Sequence, residues 1–335
     1  MEYASYRPPP PHTLLTPEQL AQLRTRSNWR GLWLVIHAWG VIFGAMALFA
    51  LWPNPLTFLA AILIIGARQL GLAVLMHDAA HNALVASPRL SAILAQWFCA
   101  YPMLADTDSY RRYHLKHHAA VQQSDDPDLV LSAPFPITRK SMRRKLWRDI
   151  SGQTGFQQRK AQIINALGTS DQPLRARLAR FIRKLGRPLL THLVLLGILA
   201  ASGYWFYFFL FWLLPLLTWQ QLVTRVRNIA EHAMVPDNND PFRNARTTKA
   251  GWISRAFIAP YWVNYHVEHH LLLWVSCYRL PLLRRFLEEN GHGERIETAA
   301  SYRAVLRLAS SRPDSKDRPG NIVHDGRRRA SASAA

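Results

Sequence analysis

Apolar and polar residues fall in long blocks along this chain rather than in short alternations. Residues 31–52 form an apolar run broken only by His37, long enough to cross a bilayer as a helix. Pro53-Asn54-Pro55 makes a tight turn, and residues 56–76 follow as a second span with Arg68 and Gln69 in its later part. Arg68 facing lipid would be costly, so it either snorkels or faces the interior of the bundle. Residues 91–105 are apolar but too short to cross, and Pro102 closes them; they read as an interfacial or re-entrant segment. Residues 188–201 and 204–222, joined by Ser202-Gly203, are together too long for one span and read as a second hairpin. The pattern predicts an all-α integral membrane protein with four transmembrane helices in two hairpins, near 31–52, 56–76, 188–201 and 204–222, within a domain at 29–290.

The flanks are polar. Residues 1–28 contain four prolines at 8–11, which favour an extended start. Thr16-Pro17-Glu18-Gln19 then has the signature of a capped helix, with Thr16 at the N-cap, Pro17 at the first helical position and Gln19 poised to close a capping box. That helix, to about Arg26, is expected on the membrane surface, and the layout of a cleavable signal is lacking. After 222 the chain is polar, with apolar interruptions at 252–262 and 271–275 that are too short to span. Residues 291–335 are expected to form a largely disordered tail, rich in Arg, Ser and Ala from 310 onward.

Charge sets the orientation. Lys and Arg number 41 against 21 Asp and Glu, a net charge of +20. No nucleic-acid recognition motif accompanies this excess, and no nucleic-acid partner is expected. Seventeen of the basic residues lie between 106 and 187, and none lies in the two turns at 53–55 and 202–203. The positive-inside rule then predicts the central loop, both termini and the four histidine-bearing segments on the cytoplasmic side. A mean hydropathy of −0.08 requires a substantial polar body beside the spans. Cys99 and Cys277 form neither a disulfide framework nor a metal spacing and are expected as reduced thiols.

The chemistry lies in the histidines. Nine of the fourteen fall in four short clusters at or after the ends of apolar blocks: His77-Asp78-Ala79-Ala80-His81, His114-Leu115-Lys116-His117-His118, Asn228-Ile229-Ala230-Glu231-His232 and His266-Val267-Glu268-His269-His270. On a helix, residues three and four apart share a face, so each cluster aims its imidazoles one way. Neutral imidazole is the commonest protein metal ligand. A single pair such as His77 and His81 would be weak, but two H-x-x-H-H triples in one chain are not incidental. Nine ligands exceed what one tetrahedral zinc takes, and two adjacent metals fit the count. Carboxylates that would fix the ring tautomers are Asp78, Glu231, Glu268 and the acids of Asp125-Asp126-Pro127-Asp128, with Glu231 and Glu268 foremost because they sit inside the clusters. His37 and His192 lie in spans and read as satisfied polar groups; His12, His292 and His324 read as solvated. The aromatic run 204–209 reads as an interfacial belt, with an acyl-channel lining as the alternative.

This arrangement resembles the membrane fatty acid desaturase and hydroxylase superfamily, over about residues 30–290. The segment Asn264-Tyr265-His266-Val267-Glu268-His269-His270 is similar to the last box of bacterial desaturase-like enzymes, sphingolipid desaturases and carotenoid ketolases. Three residues separate His77 from His81, where the acyl-CoA branch usually has four. The resemblance implies a di-iron site with O2 as co-substrate. Its ligands would be His77, His81, His114, His117, His118, His232, His266, His269 and His270, with Asn228 reaching an iron through water. The expected reaction is O2-dependent introduction of a double bond into a long acyl chain of a membrane lipid. A hydroxylase or ketolase on the same scaffold is the alternative. A non-enzymatic metal-binding membrane protein is less favoured, since transport sites sit near the midplane of broken spans. No flavin, nicotinamide, Fe–S or fused haem motif is present, so electrons are expected from a ferredoxin or small cytochrome with its reductase. The basic face would steer such an acidic carrier, and anionic lipid explains the same charge equally well.

Overall fold

Residues 8–312 are described by a computed structural model, and almost every element within them is helical. The expectations for His324 and for the tail beyond 312 lie outside the described residues. Helix α1 (Pro17–Arg24) starts as its sequence dictates: Thr16 Oγ1 accepts from Gln19 N, and the Gln19 side chain accepts from Thr16 N. Leu23 is buried, and Asn290 Nδ2 donates to Leu14 O and Gln19 Oε1, so the N-terminal segment is tied to the far end of the chain.

Helices α2 (Asn28–Leu51) and α3 (Pro55–Ala80) form the first hairpin, with Asn54 Oδ1 capping α3 by accepting from Leu56 N and Thr57 N. Helix α3 is the inner one: 67% of its most apolar stretch is buried, against 28% in α2. At 26 residues it is about 39 Å long, more than the ~30 Å of a hydrocarbon layer, so its last turns carry His77 beyond the apolar zone. Arg68 takes the interior alternative, its Nη2 donating to Arg255 O and Ala256 O. Other polar side chains of the spans also find partners. His37 Nδ1 lies 3.0 Å from Tyr261 Oη, Gln69 Nε2 donates to Trp212 O, and His192 Nε2 lies 2.8 Å from Pro102 O.

Residues 88–103 form α4 (Pro88–Ile93), a π-helical turn (Leu94–Ala100) and a short 3-10 turn. Leu94, Ala95, Cys99 and Ala100 are buried, while Ile93, Trp97 and Phe98 face outward, so this short segment is apolar on both faces. Then come α5 (Thr107–Ala119), the single turn α6 (Leu129–Ser132), α7 (Arg139–Ile150), α8 (Gln153–Leu167) and α9 (Leu174–Ala201). The third span, expected from 188, therefore belongs to a helix that begins at Leu174 and continues through Pro188. Its first half looks like loop by composition because Arg175, Arg177, Arg180, Arg183 and Lys184 crowd it. Leu174, Leu178 and Ile182 nevertheless form one outward apolar stripe at helical spacing.

The fourth expected span is not one continuous helix. Three helices among the described residues (α2, α3 and α9) are long and apolar enough to cross a membrane, and 204–222 is not one of them. It is a π-helical segment (Phe208–Leu213), α10 (Leu214–Leu217), a break at Thr218 with φ −119° and ψ −88°, and the start of α11 (Trp219–His232). Pro215 removes one backbone donor from this stretch, which favours interruption. The broken segment leads the chain back from an aromatic cluster of Phe49, Phe58, Tyr207 and Phe211 to the histidines. At Gly155 of α8 a Cβ would stand 2.5 Å from Leu217 O, so only glycine lets α8 press on the break. Tyr204, Trp205, Phe206 and Phe209 face outward, in keeping with a belt, while Tyr207 and Phe208 are buried.

The polar body is completed by β1 (Thr247–Thr248), α12 (Trp252–Phe257), α13 (His266–Leu271), α14 (Leu280–Glu289), β2 (Thr298–Ala299) and α15 (Tyr302–Ala309). β1 and β2 pair in parallel, Thr247 opposite Thr298. Residues 291–312, expected to begin a disordered tail, are folded: Tyr302, Val305 and Ala309 are buried on the inner face of α15, which packs on α11. Cys99 and Cys277 are free and buried.

Candidate metal centre

Four helix ends meet above the spans. The last turns of α3 bring His77 and His81, α5 brings His114, His117 and His118, α11 ends on His232, and α13 brings His266, His269 and His270. The structure thus draws all nine clustered histidines together, from positions up to nearly two hundred residues apart. His77, His81, His114, His118 and His269 each offer a nitrogen within 4.8 Å of the others, and His117, His232 and His270 form a second such group. His266 joins the second group, its Nε2 lying 2.8 Å from His232 Nε2 and 3.1 Å from His270 Nε2.

The residues fit metal cations better than a hydrogen-bonded histidine cluster. His118 Nε2 faces His114 Nε2 at 2.8 Å and His269 Nε2 at 3.2 Å, and His266 Nε2 likewise faces two rings. One N–H serves one acceptor, so three converging ring nitrogens cannot all be satisfied by shared protons. Nitrogens about 2.1 Å from one cation and at right angles lie about 3.0 Å apart, whereas a tetrahedral pair lies about 3.4 Å apart. The shortest observed spacings, 2.8–3.2 Å, suit ring nitrogens that share one cation. His77 Nε2 and His81 Nε2 are buried without any hydrogen-bond partner, an expensive state for two such atoms unless something else engages them.

Electrostatics prepare the same outcome. Burial, and then the neighbouring imidazoles, push His114, His118, His266, His269 and His270 well below the ordinary histidine range. His232 follows for the same first reason. These rings are neutral at physiological pH and present lone pairs, which is the metal-binding form. His117 departs from the pattern. Burial pulls it down too, but the hydrogen bond and charge of Asp126 outweigh that and raise it.

A family model for fatty acid desaturases matches residues 53–298, which covers most of the chain and every clustered histidine. The chain belongs to the fatty acid desaturase family. It is also 29% identical over 268 residues to the dihydrorhizobitoxine desaturase of Bradyrhizobium elkanii, an alignment covering 76% of this chain and 74% of that protein.

Around the desaturase histidine cluster, carboxylates do different jobs. Asp126 is the one that grips a ring closely: its Oδ1 lies 2.9 Å from His117 Nδ1, and it accepts from Gln122 N and Asp128 N. Glu231 Oε1 accepts from Arg227 Nε at 2.6 Å and lies 3.5 Å from His266 Nδ1. Burial raises the Glu231 carboxyl to about 7 against the pull of Arg227. Asp78 Oδ2 accepts from Cys277 N, and its other oxygen is 3.7 Å from His77 Nδ1. Glu268, foremost by sequence, is a correction. It accepts from Thr247 Oγ1 and Arg284 Nη1, with no histidine nitrogen within 4 Å among the described residues. It pins the last box to β1, and Thr247 Oγ1 also accepts from Val267 N. Reading by sequence missed Thr247, Arg284 and the cavity residues Tyr110, Tyr113 and Arg227. Their only signal was proximity to the boxes after folding.

One cavity of about 180 Å³ reaches this centre, walled by Tyr110, Arg227, Asn228, Glu231, His117 and His266 among others. Asn228 lies one turn before His232 on α11 and faces this space. Of the histidines outside the clusters, His12 is exposed and His292 packs its ring beside Phe242.

Proposed function

We propose that this chain is an O2-dependent di-iron desaturase that introduces a double bond into a long acyl chain of a membrane lipid. The observation that supports it most is the two adjoining groups of buried, converging imidazoles directly above apolar helices. His77, His81, His114, His118 and His269 would hold one iron, and His117, His232, His266 and His270 the other, with Asn228 acting across the cavity through water. When bound, the iron pair supplies the O2 activation needed to remove hydrogen from an unactivated C–H bond, chemistry that redox-inert zinc lacks.

The protein's own groups do the rest. Asp126 holds His117 in one tautomer with Nε2 turned inward, and Glu231 does the same more loosely for His266. Thr247 and Arg284 fix Glu268 and so the pitch of the box that follows it. Burial keeps bulk water from the ring nitrogens. The overall balance takes two neighbouring hydrogens from the chain and two electrons with two protons from a donor, reducing O2 to two waters. A ferredoxin or small cytochrome with its reductase would deliver those electrons at the basic face, with the site and both termini on the cytoplasmic side of a bacterial inner membrane.

Lipid mass spectrometry of cells with and without the gene tests this reading. A lipid that loses two hydrogens in the presence of the gene is expected. A product carrying one more oxygen would instead make the enzyme a hydroxylase, and unchanged lipids beside an iron-loaded protein would remove the lipid substrate.

A further inference from the structure

Arg68 lies nine residues before His77 on α3, about 14 Å down the helix from the metal centre. Its residue is only 7% exposed. One guanidinium nitrogen donates to Arg255 O and Ala256 O at the end of α12, and the group lies 5.4 Å from the centre of the Tyr261 ring. Its Nε is buried without a partner, and no carboxylate lies within 4 Å among the described residues. Two carbonyls offset part of the cost of a cation in an apolar helix, but they carry no countercharge.

The cavity beside it, of about 320 Å³, is walled by Trp33, His37, Arg68, Arg255, Tyr261 and Trp262 among others. Two arginines and a histidine line it, and no acid does. Three tryptophans stand outward on the same elements: Trp29 and Trp33 on α2, and Trp252 at the start of α12, 78% exposed. Outward tryptophans mark the headgroup level of a bilayer. A basic pocket between membrane helices that reaches from Arg68 up to Trp33 at that level suits an anionic head group.

We propose that Arg68, Arg255 and His37 form a binding site for the phosphate of a membrane phospholipid, separate from the metal centre. The phosphate supplies the missing countercharge for Arg68, Arg255 closes over it from α12, and the aromatic walls take the glycerol backbone while the acyl chains stay in the bilayer. The site depends on the chain's membrane placement and not on the reaction it catalyses.

Native mass spectrometry of the full-length protein, delipidated in detergent, tests it with phosphatidylglycerol, phosphatidylcholine and a diacylglycerol of the same chains. One phospholipid of either kind should be retained per protein and the diacylglycerol should not. Arg68→Gln and Arg255→Gln should each lower retention about tenfold, the loss expected for a hydrogen bond to a charged group. Arg255 is exposed and only its backbone holds Arg68, so Arg255→Gln should fold as wild type, which a thermal melt checks, and it decides the matter if Arg68→Gln does not fold. Equal retention of diacylglycerol, unchanged retention in folded Arg255→Gln, or displacement of the lipid by millimolar inorganic phosphate would each overturn the proposal, the last by making free phosphate the ligand.

Discussion

Asp126 and His117 face each other at 2.9 Å in a fully buried pair, across a loop that turns back after α5. The carboxylate is itself fixed by Gln122 N and Asp128 N, so the ring has one orientation open to it. Asp126→Asn keeps the shape and removes the charge. Metal affinity or turnover should fall about 10–100-fold, as for other groups that orient a ligand. Elemental analysis and an activity assay on the same preparation check it; wild-type values in both would reduce Asp126 to a loop staple.

Two irons per chain are expected in protein purified under iron-sufficient conditions. His118→Ala removes the nitrogen that faces both His114 and His269 and should cost metal as well as all turnover. His292→Ala, whose ring packs beside Phe242, should cost neither. A reproducible single zinc in the wild type would end the di-iron reading.

Asn228 separates binding from reactivity. An amide acting through water is a weaker ligand than imidazole, so Asn228→Ala should keep most of the iron and lose most of the activity. His232→Ala should lose both. Wild-type turnover in Asn228→Ala would reassign Asn228 to packing along the cavity wall.

Reporter fusions after Arg148 and after Pro53 should lie on opposite sides of the membrane, the first in the cytoplasm. A periplasmic signal from the Arg148 fusion would invert the orientation.

The first hairpin and all nine clustered histidines were legible because each rests on a local signal: an unbroken apolar run, or a spacing of three and four. The start of α9 was not, because the six basic residues from Arg175 to Arg187 outweighed the stripe of Leu174, Leu178 and Ile182. Apolar composition cannot distinguish one helix from the broken path through Pro215 and Thr218, so 204–222 read as a plain span. Glu268 and Asp126 show the limit at the site. Position inside a box says nothing of direction: Glu268 precedes His269 by one residue, about 100° around the helix, and points to β1. Asp126 reaches His117 through a loop that carries no periodic signal at all. The acidic run 125–128 marked the right segment without showing which acid turns inward.

The parallel pairing of Thr247 with Thr298 has a consequence for how the protein is made. The strand that fixes the last histidine box is completed by residues more than two hundred positions downstream of His77. At ordinary rates of synthesis, that interval is roughly 10–40 s. Until then His77 and His81 lack the partners that His266, His269 and His270 supply. A site built from all nine histidines can therefore be locked in place only after Thr298 has been made.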